Sequence, residues 1–190
     1  MLIVLIITVS TILFLLISIK ENLVHDTAVN EKVDQIRDFS VNTDSTDLNT
    51  SVKGTVFIRG EEGIPEHVQI VASIEIDPND WGGVAFYVPD KWYISNIKSS
   101  FTANETQSKP RDYVSTWTTE EHERNAFIEV GRDTGGGTGT LVIDIVPDQN
   151  VINPSETFNI SVSVGSDEKN GTKIVGTDSI SVPISLTDNE

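Results

Sequence analysis

The chain contains no cysteine. A disulfide framework, a thiol nucleophile and a cysteine-based zinc site are therefore excluded, and a domain of this size buries enough core to stand without such staples. Basic residues are scarce as well, with 13 Lys and Arg against 29 Asp and Glu and a formal net charge of −16. That balance excludes a nucleic-acid partner, because affinity for phosphates rests on Lys and Arg displacing counterions. A basic face for anionic lipid is missing too. Long helical patterns are absent beyond residue 51, which argues against a parallel α/β sheet. With 190 residues, the chain has room for one ordinary domain and an appendage.

What is present begins with an uncharged, hydrophobic run. Leu2 to Ile19 is interrupted only by Thr8, Ser10, Thr11 and Ser18, hydroxyls that bond back to helical carbonyls, and its length is at the short end of a bilayer span. The expectation is a transmembrane anchor helix over 1–19 that contacts the lipid bilayer through residues 2–19. A basic n-region is missing and no small-x-small site precedes Lys20, which favours an uncleaved anchor over a removed signal peptide. The flanking Lys20, Lys32 and Arg37 would keep the body cytoplasmic under the positive-inside rule. Their acidic neighbours Glu21, Asp26, Glu31, Asp34 and Asp38 leave no net positive cluster, and an extracytoplasmic body is expected. Val29, Val33 and Ile36 recur at helical spacing among charges, predicting a juxtamembrane helical stalk over 20–39 with a stripe that allows self-association. Residues 40–51, SVNTDSTDLNTS, predict an acidic, polar linker.

From Val52 the period changes to two. Val68, Ile70, Ala72, Ile74 and Ile76 alternate with Gln69, Val71, Ser73 and Glu75, which predicts a half-buried strand. Val84, Phe86 and Val88 repeat the pattern. So do Leu141, Ile143 and Ile145, then Phe158, Ile160, Val162 and Val164, and then Ile180, Val182, Ile184 and Leu186. Trp92 and Ile94 open a strand whose phase slips near Asn96, the mark of a β-bulge. Pro183 has no amide hydrogen and predicts an edge strand. With Val52–Arg59, Tyr113–Trp117 and Asn125–Val130, eight or nine strands are expected, an all-β antiparallel sandwich over 52–190. Thr118 followed by Glu121 fits a capping box, so Thr118–Arg124 is the helical candidate within it.

The stretches VASIEIDPNDWGGVAFYVPDKWYISNI and GTLVIDIVPDQNVINPSETFNISVSVGSD resemble cohesin-like and related immunoglobulin-like carbohydrate-binding sandwiches. In those domains a strand, a glycine-containing turn and an aromatic-bearing strand precede a further turn, here Val88-Pro89-Asp90. The resemblance covers about residues 52–187 and implies architecture; it assigns no partner-contacting residue.

Catalytic chemistry finds no footing. Asp133-Thr134-Gly135 spells the aspartic-protease triplet, but Gly131-Arg132 precedes it and no second copy occurs, so a glycine-rich hairpin loop is the better reading. The glycines lack the Gly-Lys-Ser/Thr ending of a phosphate loop. Glu120, Glu121, His122 and Glu123 point in different directions from one helical turn. Asp77, Asn79, Asp80 and Asp90 are hard oxygen donors that suit calcium, yet turns select the same residues for backbone hydrogen bonds. Neither an enzyme nor a cofactor is expected.

The candidates for ligand contact are aromatic: Trp81, in an Asp-Trp-Gly-Gly turn, with Tyr93 and Trp117. Such rings stack on the C–H faces of sugars. Trp92, in phase with Ile94, is assigned to the core. Sequons at Asn49, Asn104, Asn159 and Asn170 are glycosylation candidates. The expected function is a membrane-anchored adhesion or binding module for a glycan or protein partner. The alternative is a structural subunit resembling type IV or archaeal pilins, assembled into a filament through the N-terminal hydrophobic helix. The fifth residue, Leu5, departs from the Glu of bacterial pilins.

Overall fold

Alternating side chains require two faces, and the chain supplies two sheets to share the apolar ones. The computed structural model describes residues 32–101, 112–118, 125–148, 157–169 and 172–185. The anchor expected over 1–19 and most of the stalk lie outside the described residues, as do Asn104, Asn170 and Glu120 to Glu123.

Among the described residues, ten strands run β1 (Gln35–Asn42), β2 (Ser51–Glu61), β3 (Ile64–Ile76), β4 (Val84–Tyr87), β5 (Trp92–Ser99), β6 (Val114–Thr118), β7 (Asn125–Val130), β8 (Gly137–Pro147), β9 (Phe158–Lys169) and β10 (Thr172–Ile184). They pair into one sheet of order β1-β2-β3-β8-β5 and a second of order β10-β9-β4-β7-β6, antiparallel throughout. Val52, Ile70, Ile143 and Trp92 from the first sheet and Phe86, Ile128, Val162 and Phe158 from the second belong to one buried cluster. The fold is all-β and sandwich-like, with its apolar alternation turned to a common core. A fully buried side chain of this size contributes about 1.5–3 kcal/mol.

Several local expectations correspond to the structure. The five alternating residues of β3, Val68, Ile70, Ala72, Ile74 and Ile76, are all buried, and Val71 on the other face is not. The β5–β8 register shifts between Ile94 and Asn96, the site of the expected bulge. Pro183 lies on β10, an edge strand. Asp133 and Thr134 occupy the turn between β7 and β8, where Thr134 Oγ1 donates to the Gly131 carbonyl at 2.7 Å.

Two expectations are corrected. Gln35–Asn42 is a strand, not the end of a helical stalk and the start of a linker. Its burial has period two, with Phe39 and Val41 inward and Ile36 61% exposed, and all eight residues pair with β2. Opposite Phe39 stands Gly54, whose missing side chain makes room for the ring. The linker's remainder folds back as well, Thr43 N donating to the Thr50 carbonyl at 3.1 Å. The second correction concerns Thr118, the expected helix cap, which ends strand β6; residues 119–124 lie outside the described residues.

Candidate binding face on the second sheet

On β4, β6 and β7 the inward residues are Val84 and Phe86, Val114, and Ile128 and Val130. Alternation turns Tyr87, Trp117 and Phe127 to the outer face. The register then brings them together: Tyr87 pairs with Phe127 and Phe127 with Trp117. The Tyr87 and Phe127 ring centroids are 5.5 Å apart with planes at 30°, and those of Trp117 and Phe127 6.3 Å apart at 15°. Tyr87 is 40% and Trp117 47% exposed. Cross-strand aromatic pairs contribute about 0.5–1.5 kcal/mol beyond their burial. The remaining ring surface faces solvent.

The next row on this face mixes polar residues with Ala85 and is buried at three of its four positions. Ser163, Ala85, Glu129 and Ser115 stand side by side across β9, β4, β7 and β6. Glu129 is only 4% exposed, and its Oε1 accepts from the Arg132 guanidinium at 2.6 Å. Arg132 also lies 5.9 Å from the centre of the Trp81 ring, close enough for a cation–π contact. Trp81 is thus coupled through Arg132 and Glu129 to the strand that carries Phe127. Glu129 Oε2 and Ser163 Oγ are buried and have no hydrogen-bond partner among the described residues.

The Trp81 turn itself is fixed by Asp80. This carboxylate is 1% exposed. Its Oδ1 accepts from Gly82 N at 3.0 Å, Gly83 N at 2.9 Å and Ser166 Oγ at 2.7 Å, while Oδ2 accepts from Thr50 Oγ1 at 2.6 Å. Gly83 sits at φ 69°, and a Cβ there would collide with the Val130 carbonyl oxygen. Asp133 N reaches the Trp81 carbonyl at 2.7 Å. The loops around residues 50, 80 and 133 are thereby tied to strand β9.

The oxygen donors weighed for calcium are engaged elsewhere. Asp77 Oδ1 accepts from the backbone and side-chain amides of Asn79, and Oδ2 from those of Asn49. These bonds, led by the Asn79 backbone N–H, hold the Asp77 carboxyl below its ordinary pKa. Among the described residues no three His, Asp or Glu side chains are grouped to hold a metal.

Of the three aromatic candidates, Trp117 lies in the row and Trp81 adjoins it through Arg132. Tyr93 is on β5 in the other sheet, opposite Val146, and joins neither. Trp92 is 5% exposed and packs edge-on against Phe158. Tyr87 and Phe127 carry no signal of their own in the sequence; 40 positions separate them, and only the β4–β7 register makes them neighbours. Asn49 is exposed but its side-chain amide is tied to Asp77; Asn159 is exposed on β9. No family model matches the chain, and no curated protein or solved structure matches it.

Proposed function

We propose that the chain is a glycan-binding module of the cell surface, held at the membrane by residues 2–19 and contacting its ligand through the outer face of the second sheet. An immunoglobulin-like or cohesin-like architecture belongs to the same proposal, supported by two antiparallel sheets over one core. The acidic composition and the sequons support an extracytoplasmic body. The observation that carries the binding reading is the row Tyr87–Phe127–Trp117, three rings on adjacent strands with both outer members substantially exposed. Rings presented in this way pack against the C–H faces of pyranoses. A glycan array tests this directly. The wild-type domain should bind, Trp117→Ala and Tyr87→Ala should each weaken binding at least tenfold, about 1.4 kcal/mol, and unchanged binding in both variants would sink the reading.

A further inference from the structure

Resting on the extracytoplasmic reading above, we propose that the aromatic row is occupied in cis: Asn159 carries an N-linked glycan whose innermost sugars pack on Tyr87 and extend over Phe127 toward Trp117. Modification of Asn159 thereby closes the row to other sugars.

The placement of one sequon carries the inference. In Asn159-Ile160-Ser161 the core takes Ile160 together with the flanking Phe158 and Val162, so Asn159 and Ser161 stand on the outer face of β9. Asn159 is exposed and Ser161 half-buried. The register sets Ser161 opposite Tyr87, Tyr87 opposite Phe127, and Phe127 opposite Trp117. Asn159 is therefore the diagonal neighbour of Tyr87 on the adjacent strand, at a separation of about 7–8 Å that long side chains bridge. A sugar on its amide enters the row from the Tyr87 end. In the strand order β9-β4-β7-β6, the span from Asn159's strand to that of Trp117 is about 14 Å, so a few sugar rings in succession cross it.

What selects this occupant is its attachment point, which lies on the same face and one strand away from the first ring. Asn49, the other sequon among the described residues, has no such place: it precedes β2 of the first sheet, and its side-chain amide is bonded to Asp77. The donor for Asn159 is an oligosaccharide carried on a polyprenyl diphosphate. Asn159 Nδ2 forms a bond to the anomeric carbon, the bond from that carbon to the diphosphate oxygen breaks, the polyprenyl diphosphate leaves, and the amide gives up one proton.

The experiment produces the full chain in a eukaryotic host that modifies Asn-X-Ser/Thr sequons, purifies it in detergent, and maps the glycans by mass spectrometry of its peptides. Asn159 should be occupied. If other sequons carry glycans and Asn159 is bare, the inference is overturned and the extracytoplasmic reading stands; if no sequon is occupied, both fall. Contact with the row is then read from a cycle of Asn159→Gln, Tyr87→Ala and the double variant, in a background where Asn49, Asn104 and Asn170 are each replaced by Gln. Loss of the glycan should lower Tm by about 2–4 °C while Tyr87 is present and by less than about 1 °C once it is Ala. Equal losses overturn the contact, as does the same coupling in chains from a bacterial host without Asn-linked glycosylation, since the amide alone would then account for it. On a glycan array, Asn159→Gln should bind neutral sugars at least about tenfold more tightly than the glycosylated chain; equal binding overturns the closure of the row. If neither form binds the array while the Tyr87-dependent loss in Tm is found, binding of external sugars falls and the row serves the chain's own glycan. Both substitutions change exposed positions, and matching circular dichroism spectra confirm that each variant is folded.

Discussion

The two sheets share one core but present opposite outer faces to their surroundings. On the first sheet, Arg59 Nη1 lies 2.9 Å from His67 Nδ1, and His67 Nε2 is 3.4 Å from Asp144 Oδ1. Gln69 Nε2 and Asn96 Nδ2 donate to the same carboxylate at 2.8 and 3.0 Å. Four strands thus contribute polar groups to one connected network. On the second sheet the corresponding surface is a row of rings beside a carboxylate with one unsatisfied oxygen. The contrast sets a connected polar network on one face against partly exposed rings on the other. Exposure alone would not make that distinction, since Ile36 on β1 is more exposed than either Tyr87 or Trp117.

The contrast predicts a large stability effect where polar groups are fully engaged. Asp80→Ala removes the acceptor for Gly82 N, Gly83 N, Ser166 Oγ and Thr50 Oγ1, leaving four donors to find new partners at a buried site. A loss of about 3–5 kcal/mol is expected, which lowers Tm by about 6–20 °C for a domain of this size. Thermal unfolding followed by circular dichroism measures it. A fall of only a degree or two would show that the end of the sandwich does not depend on Asp80.

A smaller, pH-dependent effect is expected on the first sheet. Burial pushes the Asp144 carboxyl up, but hydrogen bonds from Gln69 and Asn96 and the positive charges of His67 and Lys98 outweigh it, so its pKa lies below the usual 3.8. A carboxyl depressed in the folded state stabilises the fold fully above its unfolded pKa and loses that contribution as pH falls through the folded value. Asp77 and Asp178 shift in the same direction, led by the Asn79 backbone N–H and the Ser45 hydroxyl respectively. Tm should therefore hold steady down to about pH 4 and fall below it, and Asp144→Asn should flatten part of that acid limb. An identical limb in the variant would show that the network on this face is dispensable.

Sequence makes the core legible and leaves the faces obscure, for a physical reason. Period-two alternation within one segment identifies β3, and a local phase slip identifies the bulge near Asn96, because both are recorded in neighbouring residues. Strand β1 resists the same reading: Val29, Val33 and Ile36 happen to fit helical spacing, whereas pairing with β2 decides its conformation and only Phe39 and Val41 record the inward face. The aromatic row is less legible still. Trp117 stands out as a tryptophan, but Tyr87 and Phe127 look like ordinary strand residues until the register sets them beside it. Tyr93 fails the same test in reverse, lying close in sequence to Trp92 yet on the other sheet from the row.

The smallest expected effect is on stability at the row itself. Trp117 is 47% exposed at the end of β6 and stacks on Phe127, so Trp117→Ala forfeits partial burial and one stacking interaction, about 1 kcal/mol. Trp92→Ala, by contrast, empties a core position against Phe158 and should cost about 3–5 kcal/mol. Parallel urea unfolding of the two variants measures the difference. If Trp117→Ala proves as destabilising as Trp92→Ala, the row is a structural element of the second sheet and its exposure is incidental. If it is nearly as stable as wild type, the ring is retained there for something other than folding, because a sheet edge gains little from an indole that it only half buries.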